Sequence, residues 1–127
     1  MIKRLESILL SSQNAQKLAD FYHTSVGLPM GKEMEIGDSG EKGFEFALPS
    51  GSIFYIADHS EISGPSTDPK RVVLNFEVDD MESEVALLDG KNVKKIKETY
   101  HMEGYGLITT YEDTDGNYFQ LVQVKES

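Results

Sequence analysis

The stretch from Asp113 to Gln123, DTDGNYFQLVQ, has an echo earlier in the chain, LPSGSIFYIAD from Leu48 to Asp58. Each copy opens on a turn signal, Asp115-Gly116 or Ser50-Gly51, and continues with apolar residues at strand spacing. The two glycines, at 51 and 116, stand 65 residues apart. A second pair repeats at an offset of 66, with SILLSS from Ser7 lying over VLNFEV from Val73. In both halves that strand runs straight into a helix-like segment. An internal period marks supersecondary units that bury their apolar faces against one another, so the chain reads as two copies of one unit.

Taken in order, residues 4 to 12 are expected to form a strand. Asn14 offers a helix cap, and Ala15, Leu18, Ala19, Tyr22 and Val26 recur as one apolar stripe of a helix that Gly27 and Pro29 terminate. Lys32 to Ile36 and Phe44 to Leu48 read as short strands around the turn GDSGEKG, and Ser52 to Ala57 as a fourth. The segment from 58 to 70, with Ser, Gly and Pro, reads as a linker between module one (1–57) and module two (71–127) of a single domain. The second module repeats the order. A strand covers Arg71 to Val78, and a helix with stripe Met81, Val85 and Leu88 runs to Asp89 and ends at Gly90. Strands at Val93–Thr99, Leu107–Tyr111 and Tyr118–Val124 follow. Lys94, Lys95 and Lys97 form the only basic cluster, which reads first as protection of an edge strand.

Composition narrows the function. The 127 residues carry 12 basic and 22 acidic side chains, a net charge of −10 that repels nucleic acid and anionic membranes. It also attracts a cation. There is no cysteine, hence no disulfide, thiolate nucleophile or cysteine metal site. The opening MIKRLES is followed by no apolar run long enough for a signal peptide or membrane span, so the cytoplasm is the expected address. No GxGxxG after a strand, P-loop or G-x-S-x-G is present.

Three segments carry a family resemblance: ADFYHTSVGLPMG, LNFEVDDMESEVALL and YEDTDGNYFQLVQ. Together they resemble the vicinal oxygen chelate superfamily, which includes glyoxalase I, fosfomycin and bleomycin resistance proteins and extradiol dioxygenases. The resemblance implies an α+β fold, with two βαβββ modules whose mixed sheets curl around a cup and whose helices lie outside. It also implies pairing of modules, and a homodimer is expected. In the metalloenzymes of that superfamily the ligands lie in the first and last strands of each module. Carried onto this chain, those positions fall on Ser7, Tyr55, Val73 and Gln120. Valine has no donor, and serine and glutamine are weak ones, so neither metal nor other cofactor is expected. The histidines, His23, His59 and His101, are expected on a helix end and in two loops, away from the cup.

Strand alternation then assigns the cup lining. Ser7, Leu9, Ser11, Val73, Asn75 and Glu77 come from the first strands of the modules, and Ile53, Tyr55, Ala57, Tyr118, Gln120 and Val122 from the fourth. Ser7, Tyr55, Val73, Asn75, Tyr118 and Gln120 are therefore the candidate ligand-binding residues. Glu77 is the one carboxylate among these, a candidate acid–base group or a solvated rim residue. Tyr100, Tyr105 and Tyr111 surround a strand whose facing stays open; they serve either to stack on a planar ligand or as core and rim. Three functions fit: a metal-free protein that binds a small cationic or aromatic molecule, an enzyme of lyase or dioxygenase type, and a degenerate member whose role is interaction or regulation. The enzyme would be metal-independent, through Glu77 or a tyrosine, or would use displaced metal ligands.

Overall fold

The structure is a computed structural model that describes residues 1–29, 31–36 and 39–125. Gly37 and Asp38 of the expected GDSGEKG turn lie outside the described residues. The chain divides into two compact units, Met1–Gly64 and Pro65–Ser127, and each is a βαβββ module. The first contains β1 (Ile8–Ser12), α1 (Ala15–Asp20), β2 (Lys32–Ile36), β3 (Glu41–Ala47) and β4 (Ile53–Asp58). The second contains β5 (Leu74–Glu77), α2 (Met81–Gly90), β6 (Lys94–Met102), β7 (Gly106–Glu112) and β8 (Tyr118–Val124). The sheets run β1-β4-β3-β2 and β5-β8-β7-β6, each with one parallel pair at the first position. The fold class is α+β.

The apolar stripe explains the first helix. Ala15, Leu18, Ala19 and Tyr22 are all buried, and the Asn14 side chain accepts from the Lys17 amide at 3.1 Å. After Asp20 the helix widens into a π-helical turn, Phe21–Ser25, closed by a Val26 N–H to Phe21 carbonyl bond. Gly27, at φ +90, then lets the Leu28 amide reach back to the Tyr22 carbonyl. Tyr22 packs edge-on against Phe54, which stacks on Phe46 at 4.9 Å. The equivalent core of the second unit stacks Tyr111 on Phe119 and sets Phe76 edge-on to it.

The second helix ends differently from the sequence expectation. Gly90 is its last helical residue, and Asn92 takes the left-handed conformation at φ +59 while Val93 N–H bonds the Leu88 carbonyl. Asparagine tolerates this region because its short polar side chain hydrogen-bonds locally. Both helices also share a cap that a local reading misses. The Ala15 amide donates to Asp58 Oδ1 at 2.7 Å, and the Met81 amide to Gln123 Oε1 at 2.7 Å. Asp58 and Gln123 are 65 residues apart, so each unit caps its helix from the end of its own fourth strand.

Several strand ends move. The strand expected from residue 4 begins at Ile8, which pairs with Phe54 close to the start of β4 at Ile53. The strand expected from Arg71 likewise begins at Leu74, opposite Phe119. The 58–70 segment is tied down. Asp58 belongs to β4, His59 N–H bonds the Ser12 carbonyl, Gly64 N–H bonds the Gln13 side chain, and Ser66 N–H bonds the Asp115 carbonyl. β6 runs on to Met102, which places His101 in a strand instead of a loop. Among the described residues, no helix is long and apolar enough to cross a membrane.

Candidate functional site

Cross-strand partners share a face, so the register settles which side chains lie opposite the helices. In the first unit Leu9, Tyr55, Glu45 and Lys32 form one row across the sheet. In the second unit the row is Asn75, Gln120, Thr110 and Lys97. The repeat carries each residue of the first row onto its counterpart in the second. Both rows lie on the face that the helix leaves open, while Phe44, Phe46, Phe54, Ile56, Phe119 and Leu121 are buried under the helices.

Hydrogen bonds link the middle of each row. The Tyr55 hydroxyl donates to Glu45 Oε1 at 3.2 Å. The Thr110 hydroxyl donates to Gln120 Oε1 at 2.9 Å, and Gln120 Nε2 donates to Asn75 Oδ1 at 2.6 Å. Asn75, Gln120 and Thr110 of the second row therefore form a continuous ladder of uncharged polar groups. Partial burial, together with the Glu45 carboxylate that accepts its hydrogen bond, pushes the Tyr55 phenol above its usual range. Tyr55 remains a neutral donor at neutral pH.

Of the residues expected at the site, the structure brings Asn75 and Gln120 into contact. Tyr118 lies on the same face two residues along, paired with Glu112, and Tyr55 holds the place of Gln120 in the first unit. Ser7 and Val73 do not join these rows. Each precedes its strand, and Leu9 and Asn75 stand opposite Tyr55 and Gln120 in their stead. Glu77 closes β5 beside Val122 on the open face, and its residue is exposed. β7 points Ile108, Thr110 and Glu112 to that face and Thr109 and Tyr111 to the helix. Tyr111 is thus buried core, its hydroxyl on Asp89, and no stacking platform. Tyr100 lies under the Lys97 ammonium at 4.0 Å. Lys94 pairs with Glu112 and Lys95 with Asp89 and Glu98, as befits an edge strand.

Two functional candidates, Glu45 and Thr110, escaped the sequence reading. The period itself was the signal, since it maps Glu45 onto Thr110 just as it maps Tyr55 onto Gln120.

The superfamily profile described as Glyoxalase/Bleomycin resistance protein/Dioxygenase superfamily matches residues 4–121. The chain belongs to this superfamily. Among solved structures it is similar to a glyoxylase/bleomycin resistance protein/dioxygenase domain from Frankia sp. EAN1pec. The two are 17% identical over 100% of this chain and 96% of that one, with a TM-score of 0.75. It is similar to TnmS3, an antibiotic binding protein from Streptomyces sp. CB03234, at 21% identity, 98% coverage of both chains and a TM-score of 0.73. It also resembles the fosfomycin resistance protein FosX from Listeria monocytogenes, at 18% identity over 98% and 96% of the two chains with a TM-score of 0.72. No curated protein matches the chain. At these identities the likeness is one of fold.

The metal of the superfamily's metalloenzymes does not fit the residues present. At the fourth-strand positions stand an amide engaged on both of its ends and a phenol engaged with a carboxylate. Their strand partners are Asn75 and Leu9, and the displaced Val73 has no donor at all. Divalent transition metals prefer imidazole, carboxylate or thiolate. Among the described residues no three His, Asp or Glu side chains gather where they could hold a metal.

Proposed function

We propose that this glyoxalase/bleomycin resistance superfamily member binds a small aromatic or cationic molecule on the open faces of its sheets, by hydrogen bonds and without a metal. The ladder Thr110–Gln120–Asn75 carries the reading, because its central Gln120 is at one of the positions that the superfamily resemblance assigns to metal ligands and is held there by hydrogen bonds to both neighbours. Amide and hydroxyl groups orient a ligand but do not polarise it as a Lewis acid does, so binding without turnover is the expected behaviour. Tyr55, Asn75, Tyr118 and Gln120 are the contact residues, with Ser7 and Val73 beside them at the strand entrances. The net charge of −10 favours a cation, and a phenol face adds about 1 kcal/mol for one. TnmS3, described as an antibiotic binding protein, and FosX, described as a fosfomycin resistance protein, support an antibiotic-like ligand.

A thermal-shift screen of cationic antibiotics and aromatic metabolites tests this, followed by a search for product with each hit. The reading expects hits that Gln120→Leu or Tyr55→Leu weakens without lowering the melting temperature of the free protein, and whose binding falls with added salt. Conversion of a hit at enzyme-like rates, insensitive to chelator and lost in Glu77→Gln, would establish a metal-free enzyme instead.

A further inference from the structure

The hydrogen bonds of the ladder all run in one direction, and this leaves its groups unequally engaged. Thr110 donates to Gln120 Oε1, and Gln120 Nε2 donates to Asn75 Oδ1. Each amide oxygen therefore already accepts a bond. The Asn75 Nδ2 makes none with another described residue, and the Gln120 Nε2 uses one of its two N–H groups. Three N–H groups, two on Asn75 and one on Gln120, are left for a ligand. Lys97, the fourth residue of the row, adds an ammonium that can only donate and lies over the Tyr100 ring at 4.0 Å.

The repeat provides the contrast. At the middle of the first row Tyr55 spends its one donor on Glu45 Oε1, so a carboxylate and a phenol oxygen remain, both acceptors. Equivalent rows thus have opposite polarity at their centres. A cationic N–H suits the first row. Against the second it would leave the amide N–H groups dehydrated and unmet, which costs more than a bond to an already engaged oxygen returns. A carbonyl oxygen has two lone pairs and can accept from Asn75 and Gln120 together. Apolar groups flank the row on the same face, the paired Ile108 and Val122 on one side and Tyr118 on the other. Such surroundings suit a flat ring and reduce competition from water.

We propose that the ladder selects an aromatic compound by a ring carbonyl oxygen, which accepts from Asn75 Nδ2 and Gln120 Nε2 while the ring lies beside Tyr118. The proposal rests on the binding function above and names the group that the ligand turns to the row.

The test compares acridone with 9-aminoacridine, which share a three-ring frame but carry an acceptor carbonyl and a cationic donor at the same ring position. Each is titrated into the isotope-labelled full chain at about 0.15 M salt, where the field of the acidic chain is screened beyond about 8 Å. Acridone should bind about tenfold more tightly and shift the side-chain NH2 signals of Asn75 and Gln120. Asn75→Asp keeps an oxygen to accept from Gln120 but exchanges the N–H groups for a second acceptor. It should weaken acridone about tenfold and reverse the preference. Asn75→Ala, which removes those N–H groups without adding charge, should weaken acridone and leave 9-aminoacridine little changed. Thermal melts of both variants check that they fold. Binding of 9-aminoacridine at these amides as tight as that of acridone, or an unchanged preference in Asn75→Asp, would overturn the proposal and leave the binding function standing. Absence of any shift at these amides with acridone would also overturn it, and the thermal-shift screen above decides the binding function separately.

Discussion

Replacing Asp113 by alanine should cost the fold about 3 kcal/mol. Asp113 is only 5% exposed and organises the turn between β7 and β8. Its Oδ1 accepts from the amides of Asp115 at 2.8 Å and Asn117 at 3.0 Å, and its Oδ2 from Asn117 Nδ2 at 3.1 Å. The backbone bonds of the turn, Asp113 N–H to the Asn117 carbonyl and Gly116 N–H to the Asp113 carbonyl, do not depend on the side chain. Alanine therefore strands two backbone donors. A hydrogen bond to a charged group nets about 1.5–3 kcal/mol, and water recovers part of that at the half-buried Asp115 and Asn117, which leaves about 3 kcal/mol for the two. With a urea m-value of about 2 kcal/mol/M, the midpoint should fall by about 1.5 M at constant slope. Asp113→Asn keeps an acceptor oxygen and should lose about half as much, and Asn117→Ala, which removes only the third contact, about 1 kcal/mol or less. Urea denaturation followed by circular dichroism measures all three. If Asp113→Ala falls within about 0.5 kcal/mol of a Thr114→Ala control, the turn is not held by this carboxylate and the reasoning fails.

The remaining predictions concern charge, metal and assembly. The hydrogen bond from Lys95 holds the Asp89 carboxyl below its usual range, and Asp89 in turn holds the Lys95 ammonium above its own. The carboxylate contribution is present above about pH 4 and lost as pH falls further, and the ammonium contribution is present below about pH 10.5 and lost above it. Lys95→Met should thus cost up to about 1 kcal/mol at pH 7 and less at both extremes; an equal cost at pH 3 and pH 7 would assign the effect to the packed methylene stem. Purified protein should carry no stoichiometric Ni, Zn, Fe or Mn, and one metal per chain by elemental analysis, removable by chelator with loss of stability, would contradict the donor argument. The edge strands β1 and β5 lack the lysines that blunt β6, so a homodimer in which modules pair to cover them is expected. Light scattering that gives a 14.2 kDa particle at micromolar concentration would refute it.

Much of this protein could be read from local pattern. The 65-residue period, the stripe Ala15-Leu18-Ala19-Tyr22 and the Asp-Gly and Ser-Gly turns are short-range features whose physics acts within a few residues, and they sufficed for two βαβββ modules and for the place of Gln120. Alternation also assigned Asn75, Tyr55 and Glu77 to the open faces, since a strand has only two sides. What local pattern could not supply was anything that depends on a partner distant in the chain. β1 and β5 start late because pairing requires a neighbouring strand, and that neighbour begins only at Ile53 or Tyr118. The sequence LITTY in β7 is ambiguous because threonine suits either face. Only the contacts of Thr110 with Gln120, and of Thr109 with Met81, decide it. The helix caps from Asp58 and Gln123 each span more than 40 residues of chain, and no local propensity encodes them. The ladder itself belongs to the same class. Each of its three side chains is unremarkable alone, and the register of three strands makes them one hydrogen-bonded row.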